Sequence, residues 1–223
     1  MPMGIILNLK QVSPYVLEQI KKYPDLAGLF LDAKYLEYSP FWQDFSIIEP
    51  DEIDWFEEAI NFVKERLDKL KKDKTEEFEK IKDDIPLIIN EGKSEYLDLD
   101  KMWEPIIFLL TGYDFYDEAL YLSKLVVSQN PEDNIPLIRA VIGSNGIEHD
   151  ERDYPLFYFS DDEVKKIANA LSSFSIKTIR KRLKFRGLEE DSYDYLYEYA
   201  YNPLVRYYQD AAEKGNAMFL HFA

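Results

Sequence analysis

The sequence predicts a helix-rich α+β fold in a single domain, with a small mixed or antiparallel sheet that includes strands at both chain ends. Three observations predict it. Short apolar runs stand at the two ends, Gly4-Ile5-Ile6-Leu7-Asn8-Leu9 and Ala217-Met218-Phe219-Leu220, and runs of this length and β-branching read as strands. Between them, apolar residues recur at steps of three and four, the period of a helix with one buried face. Leu156-Phe157-Tyr158-Phe159 reads as a strand feeding directly into a helix start at Ser160.

The elements follow in order. Ser13-Pro14 opens a helix with proline at its first position, where the missing N–H costs nothing. Val16, Leu17 and Ile20 give it an apolar face, Pro24 resets it, and Leu26 and Leu29 resume the face. Residues 34 to 50 hold Pro40, Pro50 and several aromatics without a period, which predicts an aromatic-rich loop. Asp51 is placed to cap the longest helix, whose seam is Ile53, Phe56, Ile60, Val63, Leu67 and Leu70. The pattern lapses at Lys71-Lys72-Asp73-Lys74 and resumes at Phe78 and Ile81, so this helix is expected to extend into solvent as a charged elaboration near 51–82 or to break.

At Ser160 the local code is explicit. Ser160 and Glu163 form a capping box, Phe159 and Val164 a hydrophobic staple, and Val164, Ile167, Ala168 and Leu171 a buried stripe. The run Tyr193, Tyr195, Tyr197, Tyr199, Tyr201 alternates like a strand. Its continuation to Gly215 favours a helix, which Pro203 should kink by removing a backbone donor. Gly215-Asn216 then ends that helix before the last strand.

Composition bounds the function. With 46% hydrophobic and 15% aromatic residues in 223, the chain has ample material for one core. Lys+Arg 27 against Asp+Glu 43 gives a net charge of -16, which repels phosphate backbones and argues against nucleic acid. No cysteine is present and the histidines are two, His149 and His221. Disulfides, thiolate nucleophiles and cysteine-ligated zinc are therefore excluded, and no metal or other cofactor is expected. The start Met1-Pro2-Met3-Gly4-Ile5 lacks a cationic leader, and no apolar run approaches the roughly 20 residues of a membrane span. A cytoplasmic address away from membranes is expected.

Two segments have a pairing that patterning alone does not produce: Leu97-Asp98-Leu99-Asp100-Lys101-Met102-Trp103 running to Thr111-Gly112, and Pro136-Leu137-Ile138-Arg139-Ala140-Val141-Ile142-Gly143. With the stretch from Tyr158 to the C-terminus, they resemble the bacterial YfbM-like family. The resemblance implies one YfbM-like domain over 1–223 and supplies no reaction, since the family is uncharacterised. The chain departs from it by an extra helix near 117–129, with Ala119, Leu122 and Val126 on one side, and by a more elaborate charged helix.

The candidate site gathers Asp98, Asp100, Lys101, Trp103, Arg139, Gly143 and Tyr158. A carboxylate at a strand-to-helix junction caps exposed N–H groups and meets the helix dipole; Trp103 reads as core. Arg139 lies among Leu137, Ile138, Ala140, Val141 and Ile142, where a guanidinium needs a partner. Two readings stand: a structural bidentate pair with Asp98 or Asp100, or a receptor for an anionic ligand beside Gly143 and Gly146. The acidic run Glu148, Asp150, Glu151, Asp153 lacks the ligand spacing of a calcium loop. Lys177, Arg180, Lys181, Arg182, Lys184 and Arg186 form the one basic concentration, expected to pair with the protein's own acids.

No nucleophile motif or nucleotide loop emerges, so catalytic residues are unassigned. The expected function is a non-catalytic binding or regulatory protein whose acidic surface engages a basic protein partner. The alternative is a small-molecule enzyme or sensor with an anionic-ligand site around Asp98, Asp100, Lys101 and Arg139.

Overall fold

A computed structural model describes residues 5–36, 40, 50–111, 139–143, 145–148, 155–185 and 194–222. The described strands are β1 (Leu7–Val12), β2 (Tyr96–Asp98), β3 (Asn145–Ile147), β4 (Leu156–Phe159) and β5 (Ala217–Phe222). They form one five-stranded sheet in the order β2-β1-β5-β4-β3, so the first and last strands of the chain are neighbours in its interior. The expected α+β fold, with N- and C-terminal strands in the sheet, is the fold found.

The chain divides into two compact units, the first made of Met1–Leu9, Leu97–Gly146 and Phe157–Ala223. Here β4 and β5 pair antiparallel, with Phe157 opposite Leu220, Tyr158 opposite Phe219 and Phe159 opposite Met218. Leu7, Leu9, Phe159, Met218 and Leu220 belong to one hydrophobic core with residues of helices α6 (Trp103–Thr111), α8 (Asp161–Ser173) and α10 (Asn202–Lys214). α6 buries Ile106 to Leu110 in succession, as a helix enclosed on all sides must.

α8 begins as the sequence dictates. The Ser160 N–H donates to Glu163 Oε2 at 2.9 Å, the Glu163 N–H donates back to Ser160 Oγ at 3.4 Å, and the staple pair Phe159 and Val164 is fully buried. Two phenols then fasten helices to backbone: Tyr201 Oη donates to the Leu171 carbonyl at 2.7 Å and Tyr208 Oη to the Ala140 carbonyl at 2.9 Å. Burial pushes both phenol pKa values up, so they remain neutral donors.

The tyrosine-rich run is helical, and the strain expected at Pro203 is taken up just before it. Residues Tyr197–Tyr201 form a π turn, closed by the Asn202 N–H on the Tyr197 carbonyl. That wider turn eases the clash a proline ring makes with the carbonyl four residues earlier, here Tyr199. Gly215, in the left-handed conformation at φ 68°, ends α10 before β5 as predicted.

The second unit comprises Lys10–Tyr96 and Ile147–Leu156. α1 (Pro14–Lys22) starts at Ser13, whose Oγ accepts from the Val16 N–H at 3.2 Å and donates to Glu91 Oε1 at 2.7 Å; its own N–H donates to Glu91 Oε2 at 2.8 Å. Glu91 lies in α5 (Ile85–Gly92), so one carboxylate binds the start of α1 to another helix. α5 approaches α2 (Leu26–Asp32) so closely that a Cβ on Gly92 would overlap the Phe30 carbonyl. Between α2 and α3 (Pro50–Asp73), Arg66 Nε stands 2.7 Å from the buried Asp32 Oδ2 and its guanidinium lies 4.4 Å from the Phe62 ring. Gly28 leaves the space that guanidinium occupies.

Several expectations change. The first strand runs Leu7–Val12 rather than Gly4–Leu9, because Lys10 and Gln11 stay in the ladder despite their polarity. The long helix starts at Pro50, putting Asp51 inside its first turn rather than at its cap. It carries the exposed Lys71 and Lys72 in its last turn. It breaks at Lys74, which pairs with Asp25, while Thr75 Oγ1 donates to the Lys71 carbonyl at 3.0 Å and α4 (Thr75–Ile81) begins anew with Ile81 buried. The loop at 41–49 and the helix expected near 117–129 lie outside the described residues.

Removing one partner of the buried Asp32–Arg66 pair takes the opposite charge away from the other at 2.7 Å. Arg66→Met should therefore lower the urea-unfolding free energy by about 3 kcal/mol, and Asp32→Leu added to it should restore part of that loss.

Candidate functional site

β1 presents two chemistries in alternation. Leu7 and Leu9 enter the core, while Asn8 and Lys10 between them are polar yet only 7% and 5% exposed. Side chains along a strand point alternately to opposite faces, so the core side of the sheet has a polar reverse.

In the first unit that reverse face holds Asn8. On β5, Met218, Leu220 and Phe222 contact the core, so Phe219 and the buried His221 face the other way. Tyr158, opposite Phe219 in the β4–β5 register, shares that face. Among the described residues neither side-chain amide atom of Asn8 has a hydrogen-bond partner, although both are buried. A buried amide without partners costs about 1–3 kcal/mol.

In the second unit the site is Lys10. Its Nζ donates to the Ser94 carbonyl at 2.8 Å and lies 5.7 Å from the Phe30 ring centroid and 5.8 Å from that of Tyr96. Lys34 Nζ lies 4.9 Å from the same Tyr96 ring and 4.9 Å from Tyr35. Ring faces attract ammonium groups, but two cations share one aromatic cluster, and among the described residues no carboxylate pairs with Lys10. Burial, and then the charge of Lys34, lower the Lys10 pKa from 10.5 to about 7.

The residues singled out by sequence have mostly architectural roles. Asp98, at the end of β2, is exposed, and its Oδ1 accepts from the Asp100 N–H at 2.7 Å; it caps a turn in which Asp100 sits at φ 44°. Asp100 and Lys101 are exposed on the 3₁₀ turn Asp100–Met102, and among the described residues no ion pair forms there. Trp103 is core: its indole N–H donates to the Ile5 carbonyl at 2.8 Å and its ring meets Phe222 edge-on at 5.5 Å. Gly143 has φ 75°, and a Cβ there would stand 2.5 Å from Phe157 Cβ, so glycine is required twice over.

Arg139 begins the short helix α7 (Arg139–Ile142), and its side chain lies outside the described residues, as does Gly112. Arg182, from the basic run on α9 (Ile176–Phe185), donates to the Leu109 carbonyl at 2.5 Å and lies 5.2 Å from the Phe174 ring. A carbonyl near a helix C-terminus carries partial negative charge, so there a carbonyl and a ring take the place expected of an acid.

Sequence reading missed Asn8 and Lys10. The alternation Leu-Asn-Leu-Lys reads as a half-exposed strand, so the burial of its polar side is visible only in the structure.

The arrangement defines a helix-rich α+β protein built on a sheet that joins the two ends of its chain. A family model described as "Domain of unknown function (DUF1877)" matches residues 3–221, and the chain belongs to that family. The resemblance to YfbM-like proteins read from the sequence holds. Among solved structures, the chain is similar to one titled "The Crystal Structure of a Protein of Unknown Function YfbM from Escherichia coli", at 16% identity and a TM-score of 0.47, covering 98% of this chain and 99% of that one. No curated protein matches. Among the described residues, no helix is long and apolar enough to cross a membrane.

Two measurements probe the polar residues of β1. Asn8→Val, which removes an unsatisfied amide and suits a strand, should raise the unfolding free energy by about 1 kcal/mol in urea titrations. For Lys10 the sign follows from linkage. Its pKa is depressed in the folded state, so between pH 7 and 10.5 the unfolded chain binds the proton more readily, and stability rises with pH. Relative to Lys10→Met, the wild type should gain on the order of 5 kcal/mol across that window, with a flat difference below pH 7.

Proposed function

We propose that this protein is a cytoplasmic, non-catalytic binding or regulatory protein whose acidic surface engages a basic protein partner. One observation carries the reading. Tyr195 and Tyr199, 55% and 70% exposed, present their rings side by side at 5.0 Å on the helical turn before Pro203. The exposed Asp194 and Glu198 flank them, and Glu189-Glu190-Asp191 precede them in the sequence.

Large aromatic groups left in water are the usual anchors of interfaces, with tyrosine enriched at the energetically dominant positions. Two ring faces beside two carboxylates suit a lysine or arginine side chain, which gains cation–π contact and charge pairing together. The net charge of -16 adds long-range attraction for a basic protein and speeds encounter. A π turn widens the helix at this place, a distortion often found at functional positions.

The test is capture of a basic protein by the immobilised chain at low salt, followed by affinity measurement with the purified partner. Binding should weaken steeply as salt rises. Tyr195→Ala with Tyr199→Ala should weaken it by roughly 10- to 100-fold, about 1.4–2.7 kcal/mol, with the circular dichroism spectrum unchanged. Absence of any basic partner at low salt, or equal binding by the double variant, counts against the reading.

A further inference from the structure

We propose that Lys10 is a carbamylation site, whose side-chain nitrogen takes up carbon dioxide between the rings of Phe30 and Tyr96, the second of which it shares with the Lys34 ammonium. The site is independent of the Tyr195–Tyr199 surface.

The geometry favours a neutral amine over an ammonium. Lys10 is 5% exposed, its one polar partner among the described residues is the Ser94 carbonyl at 2.8 Å, and a second cation adjoins the same Tyr96 ring. Nothing described there compensates a buried positive charge with a negative one. A group with a pKa of about 7 holds roughly three orders of magnitude more neutral amine near pH 7 than an ordinary lysine. That is the usual way a protein makes a lysine nucleophilic, by desolvation beside another cation.

The enclosure selects the electrophile. At 5% exposure the amine is closed to bulky reactants, and carbon dioxide adds only three heavy atoms. The charge change selects it too, because the charge of Lys34 acts on Lys10, and an anionic product turns that repulsion between two cations into an attraction. An imine formed with an aldehyde would bring a larger group and relieve no repulsion. In the step itself, the Nζ lone pair attacks the carbon and an N–C bond forms as one C=O π pair moves onto oxygen. A proton passes from nitrogen to water, giving Nζ–CO₂⁻ and H⁺ with no oxidant or co-reactant. The remaining N–H keeps a donor for the Ser94 carbonyl.

The experiment uses the full chain equilibrated with ¹³C-bicarbonate and carbon dioxide near pH 7.5, trapped by O-alkylation with triethyloxonium and mapped by peptide mass spectrometry. The expected result is a trapped carbamate on the Lys10 peptide at roughly ten times or more the occupancy of any other lysine. It should be lost in Lys10→Arg and lowered several-fold in Lys34→Met. Trapping on the wild type in urea, where the enclosure is gone, should fall to the level of the other lysines, a control that needs no variant to fold. An unlabelled Lys10 in the folded wild type at saturating carbon dioxide, or equal labelling before and after unfolding, overturns the proposal.

Discussion

The pairing of the first strand with the last is the constraint on which the sheet depends. β1 and β5 adjoin in its interior, so neither is an edge strand, and nearly every residue of both is buried whichever face it points to. Contacts that close a loop of nearly the whole chain are entropically costly until many form together. Trp103 helps to fix this junction in the first unit, giving a hydrogen bond to the Ile5 carbonyl and an edge contact to Phe222. The L-D-x-D-K-x-W segment thus matters through its tryptophan as much as through its charges, and Asp98 serves as the cap of the turn that delivers that tryptophan.

Burying both faces of β1 leaves Asn8 and Lys10 in places where polar groups are expensive. Most of the chain shows local preference and tertiary packing in agreement, as at the capping box of α8. At β1 they conflict. Such conflicts lower stability and survive where they serve something else. Asn8 carries the cost as an amide with no partner among the described residues, whereas Lys10 carries it as an amine driven toward neutrality and held by a carbonyl and two rings.

The tyrosines show how one residue type is divided between support and surface. Tyr201 and Tyr208 bury their rings and spend their hydroxyls on backbone carbonyls, the arrangement that makes a buried phenol tolerable. Tyr195 and Tyr199, in the turns just before them, point outward beside the exposed Asp194 and Glu198. Helical periodicity separates the two sets, and the π turn sets where the separation falls relative to α10. Charge acts at a different level, since it bears on solubility and encounter, not on which strands pair.

The sequence by itself determined what short-range chemistry can decide. Ser13-Pro14, Ser160 with Glu163, and Gly215 each mark a helix end through bonds or dihedrals within a few residues, and each mark proved correct. The terminal strands, the helical nature of the tyrosine run and the family were legible for the same reason, as patterns of period and motif. Only the tertiary structure decided the rest. The break at Lys74 depends on Asp25, the length of β1 on cover over Lys10, and the role of Gly143 on the nearness of Phe157, all partners remote in sequence. The candidate site was legible only in part, at Tyr158 and at the capping acid Asp98. Asn8 and Lys10 are unremarkable letters in a strand until both faces of that strand are covered, because desolvation is a property of the surroundings and no residue carries it alone.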